Sequence, residues 1–382
     1  MYIYKFTVNN YRSLKNVDVG DLSPAVIFYG ENDSGKSNIL TFLDVIFQQK
    51  YIEEIIQSPN ASLVQRRSTG FWEGQIADFS NNFYLNNQQP IAFSICLKFD
   101  RAEVLAIKSL PSSFTDLLPK NRNEDVLVIE GKVNPVGPDR AEMILIEVKL
   151  NKKQFYTNAN SPDFLPDAIF ASLSVAERRS IFDSIMNKLD NAFLRIPPDR
   201  FISKEQEAPR GTHIELSAKS LKNWLFQLSH DQNGEKIVRQ VIQQFNSKPF
   251  SHGNVSIVRV GEDEIEALIE GKNGMKLPIG RRGSGVQQIL TILAYVAQAN
   301  SPLVGIEELE INLSPETQRK LVTSLLGLIN SQSSPVRQIF FTTHSPHIGK
   351  RNEAQRRGVW IENDETKVKK PTEAEVRKFF GN

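Results

Sequence analysis

FYGENDSGKSN, Phe28 to Asn38, is the stretch on which the reading of this chain turns. Within it, Gly30 to Ser37 fits the pattern GxxxxGK[ST]. In such a loop the glycines let backbone N–H groups turn inward on phosphate oxygens. Lysine reaches the β and γ oxygens, and the hydroxyl after it can ligate Mg²⁺. Gly30, Asn32, Asp33, Ser34, Gly35, Lys36, Ser37 and Asn38 are therefore candidate phosphate-site residues. The flanks have the required form: AVIFY is a short apolar strand, and KSNILTFLDVIFQQ carries apolar residues at helical spacing. The start of that helix adds its positive dipole end to the loop.

A phosphate loop needs an acid at the end of a second strand. SPLVGIEELEINLSP supplies it, with the apolar run Leu303 to Ile306 ending in Glu307 and Glu308. Glu307 would orient the metal through its hydration shell, and Glu308 would act as general base on water. RQIFFTTHSPHI is another apolar strand and ends in His344, which could hydrogen-bond a γ-phosphate or position the attacking water. Lys36, Glu308 and His344 are thus the candidate catalytic residues. In GRRGSGVQQILTILAYVAQA, Gly280 to Ala299, a Gly-rich turn opens an apolar helix whose N-terminus is a second anion site.

Composition bounds the rest. At 382 residues the chain makes one elaborated domain or two intimate ones, and 40% hydrophobic with 24% charged residues is ordinary globular usage. The longest apolar runs, such as IAFSIC and VLVI, fall short of the roughly 18 residues that a membrane span requires. The chain opens without a leader-like segment and its lone Cys96 forms no internal disulfide, so a cytoplasmic home is expected, with no membrane partner. A net charge of +2 gives no strong basic field for nucleic acid. Arginine pairs at Arg66–Arg67, Arg178–Arg179, Arg281–Arg282 and Arg356–Arg357 read as solvated faces when taken singly.

Along the chain, YIYKFTV reads as a first strand, and residues 50–89 are polar and Asn-rich and read as loop with short elements. PIAFSICLKF, EDVLVIEGKV and EMILIEVKL suggest an antiparallel sheet. Ser174 and Glu177 have capping-box spacing ahead of a helix, and two more amphipathic helices follow around Trp224 and Val241. NVSIVRV and EIEALIE make a hairpin, and the final third alternates helix and strand. Prolines from Pro59 to Pro249 leave no room for sustained heptads. The expected division is residues 1–165, an N-terminal lobe with the phosphate loop; 166–252, a helical insert; and 253–382, a C-terminal lobe.

In this order the pieces resemble the ATP-binding-cassette ATPases of the SMC, RecF and OLD type. The fold this resemblance implies is α/β: an ABC-type P-loop ATPase head with an N-terminal mixed β lobe, a compact α+β insert and no long coiled coil. It makes ATP and Mg²⁺ the cofactors. Tyr11-Arg12-Ser13 is similar to the family's Arg-bearing turn, so Arg12 is a candidate nucleotide contact, and IPPDR, Ile196 to Arg200, resembles a segment frequent in the OLD-like group. Gly283, Ser284 and Gly285 stand at the signature motif, with Gly283 where the family has Ser. Walker B opens on Glu307 rather than Asp, and EELEINLSP stands where EEPExHLHP is usual. The implied metal ligands are Ser37, Glu307 and Gln75, the last from FWEGQIADF.

In this family the signature of one subunit closes over nucleotide held by another, so the resemblance implies a homodimer or higher homo-oligomer. The segment after His344 reads as a strand, a basic stretch and a helix, with no room expected for a catalytic effector. The chain thus resembles the ATPase subunits of bacterial antiphage systems such as Septu and PARIS, which act on a separately encoded effector, here expected to be a nuclease. Two other functions compete: a RecF-like repair clamp that contacts DNA directly, and a scaffold that binds ATP with little turnover.

Overall fold

The computed structural model describes residues 1–47, 74–77, 83, 89–100, 103, 124–135, 140–157, 175–202, 218–260, 264–271, 273–298, 301–329, 331, 334–348 and 354–380. Ser174, Arg66, Arg67 and most of residues 50–89 lie outside the described residues. The elements run β1 (Tyr2–Tyr11), β2 (Leu14–Val19), β3 (Ala25–Tyr29), α1 (Lys36–Phe47), β4 (Gly74–Ala77), β5 (Ile91–Asp100), β6 (Glu124–Pro135), β7 (Arg140–Leu150), β8 (Lys153–Thr157) and α2 (Val175–Leu189). There follow β9 (Phe193–Ile196), α3 (Leu221–Ser229), α4 (Gln232–Asn246), β10 (Asn254–Val260), β11 (Glu264–Glu270), β12 (Lys276–Pro278), α5 (Ser284–Gln298), β13 (Leu303–Ile306), α6 (Pro315–Ile329), β14 (Gln338–Thr343), β15 (Gln355–Glu362), β16 (Glu365–Lys369) and α7 (Glu373–Phe380).

The chain divides into two compact units. The first comprises Met1–Leu194, Ser301–Leu303 and Gln355–Pro371; the second comprises Arg195–Asn300, Val304–Ala354 and Thr372–Asn382.

In the first unit a sheet of order β2-β1-β5-β6-β7-β4 carries β8 on β7, every pairing antiparallel. Alternation fixes its register: Ile91, Phe93, Ile95, Leu97 and Phe99 of β5 are buried, while the residues between them are half-exposed. Helix α1 packs on that face through Phe42, whose ring lies 6.2 Å from Phe6, 5.5 Å from Tyr11 and 6.3 Å from Phe93. Burying an aromatic ring of this kind contributes about 1.5–3 kcal/mol. Strand β3 is buried at all five positions, as a strand covered on both faces should be, and pairs in parallel with β15. The stretch read from sequence only as basic, Lys367 to Lys370, falls largely in β16, antiparallel to β15.

In the second unit β10, β11 and β12 form an antiparallel sheet, including the expected hairpin. Beside it a buried ion pair joins Lys222 Nζ to Glu266 Oε1 at 2.9 Å, and removing either partner would cost about 3–5 kcal/mol. Helix α4 is capped by Asp231, whose carboxylate accepts from the Gly234 N–H at 2.7 Å. Helix α7 has a capping box in which Glu375 accepts from the Thr372 N–H at 2.9 Å and its own N–H reaches Thr372 Oγ1 at 3.3 Å. Strand β13 lies between β14 and β9. Among the described residues the longest helices have 15 residues, and none of them forms a long coiled coil.

Candidate functional site

The phosphate loop lies between β3 and α1, in the first unit. Its shape depends on two residues with positive φ, Asp33 at 61° and Gly35 at 92°. Gly35 is required there on steric grounds as well, because a Cβ would lie 2.0 Å from Thr366 Oγ1. At Gly30 a Cβ would lie 2.0 Å from the Val359 carbonyl oxygen, so only glycine lets the loop leave β3 beside β15. Lys36 is buried, and its ammonium donates to Gly30 O at 3.1 Å, Glu31 O at 2.5 Å and Ser34 Oγ at 3.3 Å. A cation is thereby held inside the loop among neutral oxygens, where an anion would be stabilised most strongly. Ser37 is in the first turn of α1, and its carbonyl accepts from Thr41 Oγ1 at 2.8 Å.

The Arg12 turn is tied to this loop. Arg12 has φ of 49° and donates through Nη1 to Asn38 Oδ1 at 3.3 Å. Asn38 Nδ2 donates to Ser13 Oγ at 2.8 Å, and Ser13 Oγ lies 2.7 Å from Thr366 Oγ1. Thr366 Oγ1 in turn donates to the Ser34 carbonyl at 3.3 Å. Each hydroxyl has one proton, so the chain runs one way: Asn38 amide to Ser13, Ser13 to Thr366, Thr366 to Ser34. A second tie joins the Thr366 N–H to the Ser13 carbonyl at 2.8 Å. Arg12, Asn38 and Ser34 are thus brought together, and the linking residue, Thr366, was not singled out from sequence.

The second unit gathers the acids and His344. Glu307 ends β13 and is buried; its Oε1 is ion-paired with Arg195 Nε, and its N–H reaches the Ile196 carbonyl at 3.0 Å. Glu308 follows with φ of 43°, a left-handed backbone that costs a long L side chain on the order of 1–3 kcal/mol. That conformation is held from both sides, by Thr342 Oγ1 accepting from the Glu308 N–H at 3.0 Å and by Arg200 Nη2 donating to its carbonyl at 3.0 Å.

Arg200 is fully buried. It donates through Nε to Gln288 Oε1 at 2.6 Å and through Nη1 to the carbonyls of Pro197 and Glu307, each at 2.7 Å. Burial pushes its guanidinium down to about 10, against the pull of Glu310, Glu307 and Glu308, so it stays charged at neutral pH.

His344 follows β14 and is exposed, with its Nδ1 3.0 Å from Glu310 Oε1. The start of α5 abuts the turn after the acids: a Cβ on Gly285 would lie 2.7 Å from the Asn312 carbonyl, and Asn312 has φ of 58°. Gly283 differs, since nothing lies within 4 Å of where its Cβ would be. Ser284 borders a cleft of about 650 Å³ together with Phe201, Ile202, Arg281, Arg282 and Gln287. Gln287 braces this turn, donating to the carbonyls of Arg282 at 2.9 Å and Gly280 at 3.3 Å and accepting from the Ile202 N–H at 3.1 Å.

Gln75 is in β4, opposite Glu142 of β7, and only its backbone is described. Among the described residues no group of three or more His, Cys, Asp or Glu side chains could hold a metal by itself. Arg195, Arg200 as a buried hub, and Glu310 were missed from sequence because their partners are distant in the chain.

The AAA ATPase domain family model matches residues 1–160 and 139–348. No curated protein sequence matches the chain. Among solved structures, an Smc head bound to the C-terminal winged-helix domain of ScpA is 16% identical over 98% of this chain and 100% of that one, with a TM-score of 0.51. An SMC head domain from Thermotoga maritima is 12% identical over 97% and 100%, with a TM-score of 0.44. The first likeness gives the fold, that of an SMC-type P-loop ATPase head. No helix among the described residues is long and apolar enough to cross a membrane. With the family match extending over most of the chain, beside the phosphate loop and the strand-end acids, the chain belongs to the AAA ATPase domain family.

Proposed function

We propose that the chain is a Mg²⁺-dependent ATPase subunit that dimerises around ATP and through that cycle controls a separate effector. The observation that carries the hydrolytic part is Glu308, an acid kept in a costly left-handed backbone by Thr342 and Arg200 at the end of β13. Retained backbone strain clusters at functional sites, which fits a strand-end carboxylate held in place as a general base.

In this reading Gly30, Asn32, Asp33, Ser34, Gly35, Lys36, Ser37 and Asn38 cradle the phosphates, with Arg12 reaching them from its turn. Ser37 and, through water, Glu307 would hold Mg²⁺, which would supply charge stabilisation at the phosphates. Arg195 offsets the part of the Glu307 charge that the metal does not use. Glu308 takes the proton of the attacking water, and His344 orients that water. Gln75 is the proposed third metal-side contact.

Dimerisation is supported by Gly283. Glycine is not demanded there by packing within the chain, because its Cβ position is open, yet the neighbouring Gly285 is sterically required. An open glycine beside Ser284 at the N-terminus of a 15-residue helix leaves room for the phosphates of nucleotide held by a second copy. The effector role rests on the likeness to Septu and PARIS ATPase subunits, with a nuclease as the proposed effector.

The test is sedimentation of Glu308→Gln with Mg²⁺ and ATP. A dimer that forms only with nucleotide, and is lost in Gly283→Val while Gly283→Val still binds ATP, is expected. A monomer at every ATP concentration would overturn dimerisation. For the effector, the chain alone should leave nucleic acid intact; cleavage abolished by Lys36→Ala would contradict a separate nuclease.

A further inference from the structure

We propose that Glu310 is the positioning residue of His344, fixing its imidazole with the proton on Nδ1 and leaving Nε2 as the outward, working nitrogen. The proposal rests on the ATPase reading for its consequence, though not for its geometry. Glu310 is buried in the turn after β13, and one oxygen, Oε1, serves His344 twice: it accepts from the backbone N–H at 2.7 Å and lies 3.0 Å from Nδ1. A carboxylate only accepts, so a hydrogen bond across this contact requires the proton on Nδ1. The neutral ring then has its lone pair on Nε2, on the opposite edge.

Three further observations make this a positioning device and not a surface ion pair. The two partners are unequally placed: the Glu310 side chain is 6% exposed and that of His344 is 45% exposed, so the acid is sequestered while the ring faces outward. The second oxygen of Glu310, Oε2, is buried without a hydrogen-bond partner. A buried carboxylate of this kind is costly unless charge nearby offsets it, and Arg200, fully buried, is that charge. The same guanidinium donates to the Glu308 carbonyl, so the proposed base and the acid holding the histidine share one anchor.

The backbone around His344 is fixed on its C-terminal side as well. Ser345 N–H reaches Thr343 Oγ1 at 2.9 Å, and Ser345 Oγ donates to Gln318 Oε1 at 2.8 Å. Gln318 is itself held by donating to the Leu313 carbonyl at 2.8 Å. With the main chain pinned, the imidazole rotor is the remaining freedom, and Glu310 removes it. A histidine whose Nδ1–H meets a carboxylate has a set tautomer and ring orientation. Nε2 can then accept a hydrogen bond from the attacking water.

The test uses full-length protein labelled with ¹⁵N-histidine, with the His344 signals assigned by loss in His344→Gln. The wild type should show the Nδ1–H tautomer at His344, and Glu310→Ala should show a mixture. ATP turnover in Glu310→Ala should fall about tenfold or more with KM for ATP little changed, and Glu310→Gln, which keeps an acceptor oxygen, should recover part of it. Because Glu310 acts through the ring, Glu310→Ala in a His344→Ala background should cost nothing further. An Nε2–H tautomer in the wild type, unchanged kcat in Glu310→Ala, or additive losses in the double variant would each overturn the proposal. A wild type without ATP turnover would remove the ATPase reading, while the tautomer measurement would still decide the role of Glu310.

Discussion

Replacing Arg200 with Met keeps the volume of the site and removes its charge and donors. The structure sets the size of the effect. Arg200 is fully buried and donates to Gln288 Oε1 and to the carbonyls of Pro197, Glu307 and Glu308. The Glu308 carbonyl keeps a second donor, the Ile311 N–H at 3.1 Å, which leaves three acceptors deprived. At about 1–3 kcal/mol for each of the two fully buried ones, Gln288 Oε1 and the Glu307 carbonyl, the loss is several kcal/mol, and removing one partner from a buried charge network costs about 3–5 kcal/mol. The two ranges overlap at about 4 kcal/mol, a large share of a domain stability of about 5–15 kcal/mol. A hydrophobic replacement brings no compensation here, because most of the acceptors are backbone carbonyls that no side-chain change removes. Arg200→Lys should fall between, since a single ammonium cannot span four acceptors.

The assay is equilibrium urea unfolding followed by Trp224 fluorescence. Trp224 is buried in the same unit, and Trp72 and Trp360 would be changed to Phe. ATP turnover measured below the transition should fall as well, because Arg200 holds the backbone of Glu308. A loss below ~1 kcal/mol, the size expected of a surface change, would refute the view of Arg200 as the hub of this region.

Two further outcomes follow from named contacts. Gly35→Ala should abolish ATP binding in a nucleotide-displacement assay, since its Cβ would meet Thr366 Oγ1 at 2.0 Å and its φ is 92°; Gly283→Ala, where the space is open, should bind ATP as the wild type does. His252 is pushed below its ordinary value of 6.5, first by burial and then by Arg282 and Lys320, so the unfolded chain binds its proton more readily than the folded one. The stability it contributes is complete above about pH 6.5 and declines as pH falls below that, and in urea titrations His252→Phe should flatten this acid-side slope.

What the sequence made legible was local. The phosphate loop is eight consecutive residues between a strand and a helix, so its pattern and its context are both visible in the chain. Helix α5 and the acids after β13 were legible for the same reason: an apolar run ends and the chemistry begins at the next residue. The supports were not. Thr366 holds the loop from a strand far along the chain, and its neighbours, Lys367, Lys369 and Lys370, read only as a basic stretch. Strand β2 was passed over because its exposed face is Lys15, Asn16 and Asp18, leaving three buried apolar residues, Leu14, Val17 and Val19, to mark it. Arg200 was visible as part of IPPDR, yet two of its acceptors belong to Glu307 and Glu308 and a third to Gln288, and no local pattern announces that convergence.

The most direct measurement is steady-state release of phosphate from ATP with Mg²⁺ by the wild type and by Glu308→Gln, with ATP binding measured on both. Loss of a general base predicts a turnover about 10²–10⁴-fold lower in Glu308→Gln with ATP still bound. Equal turnover in the two proteins would contradict the assignment of Glu308 as the base, and with it the central claim about this site.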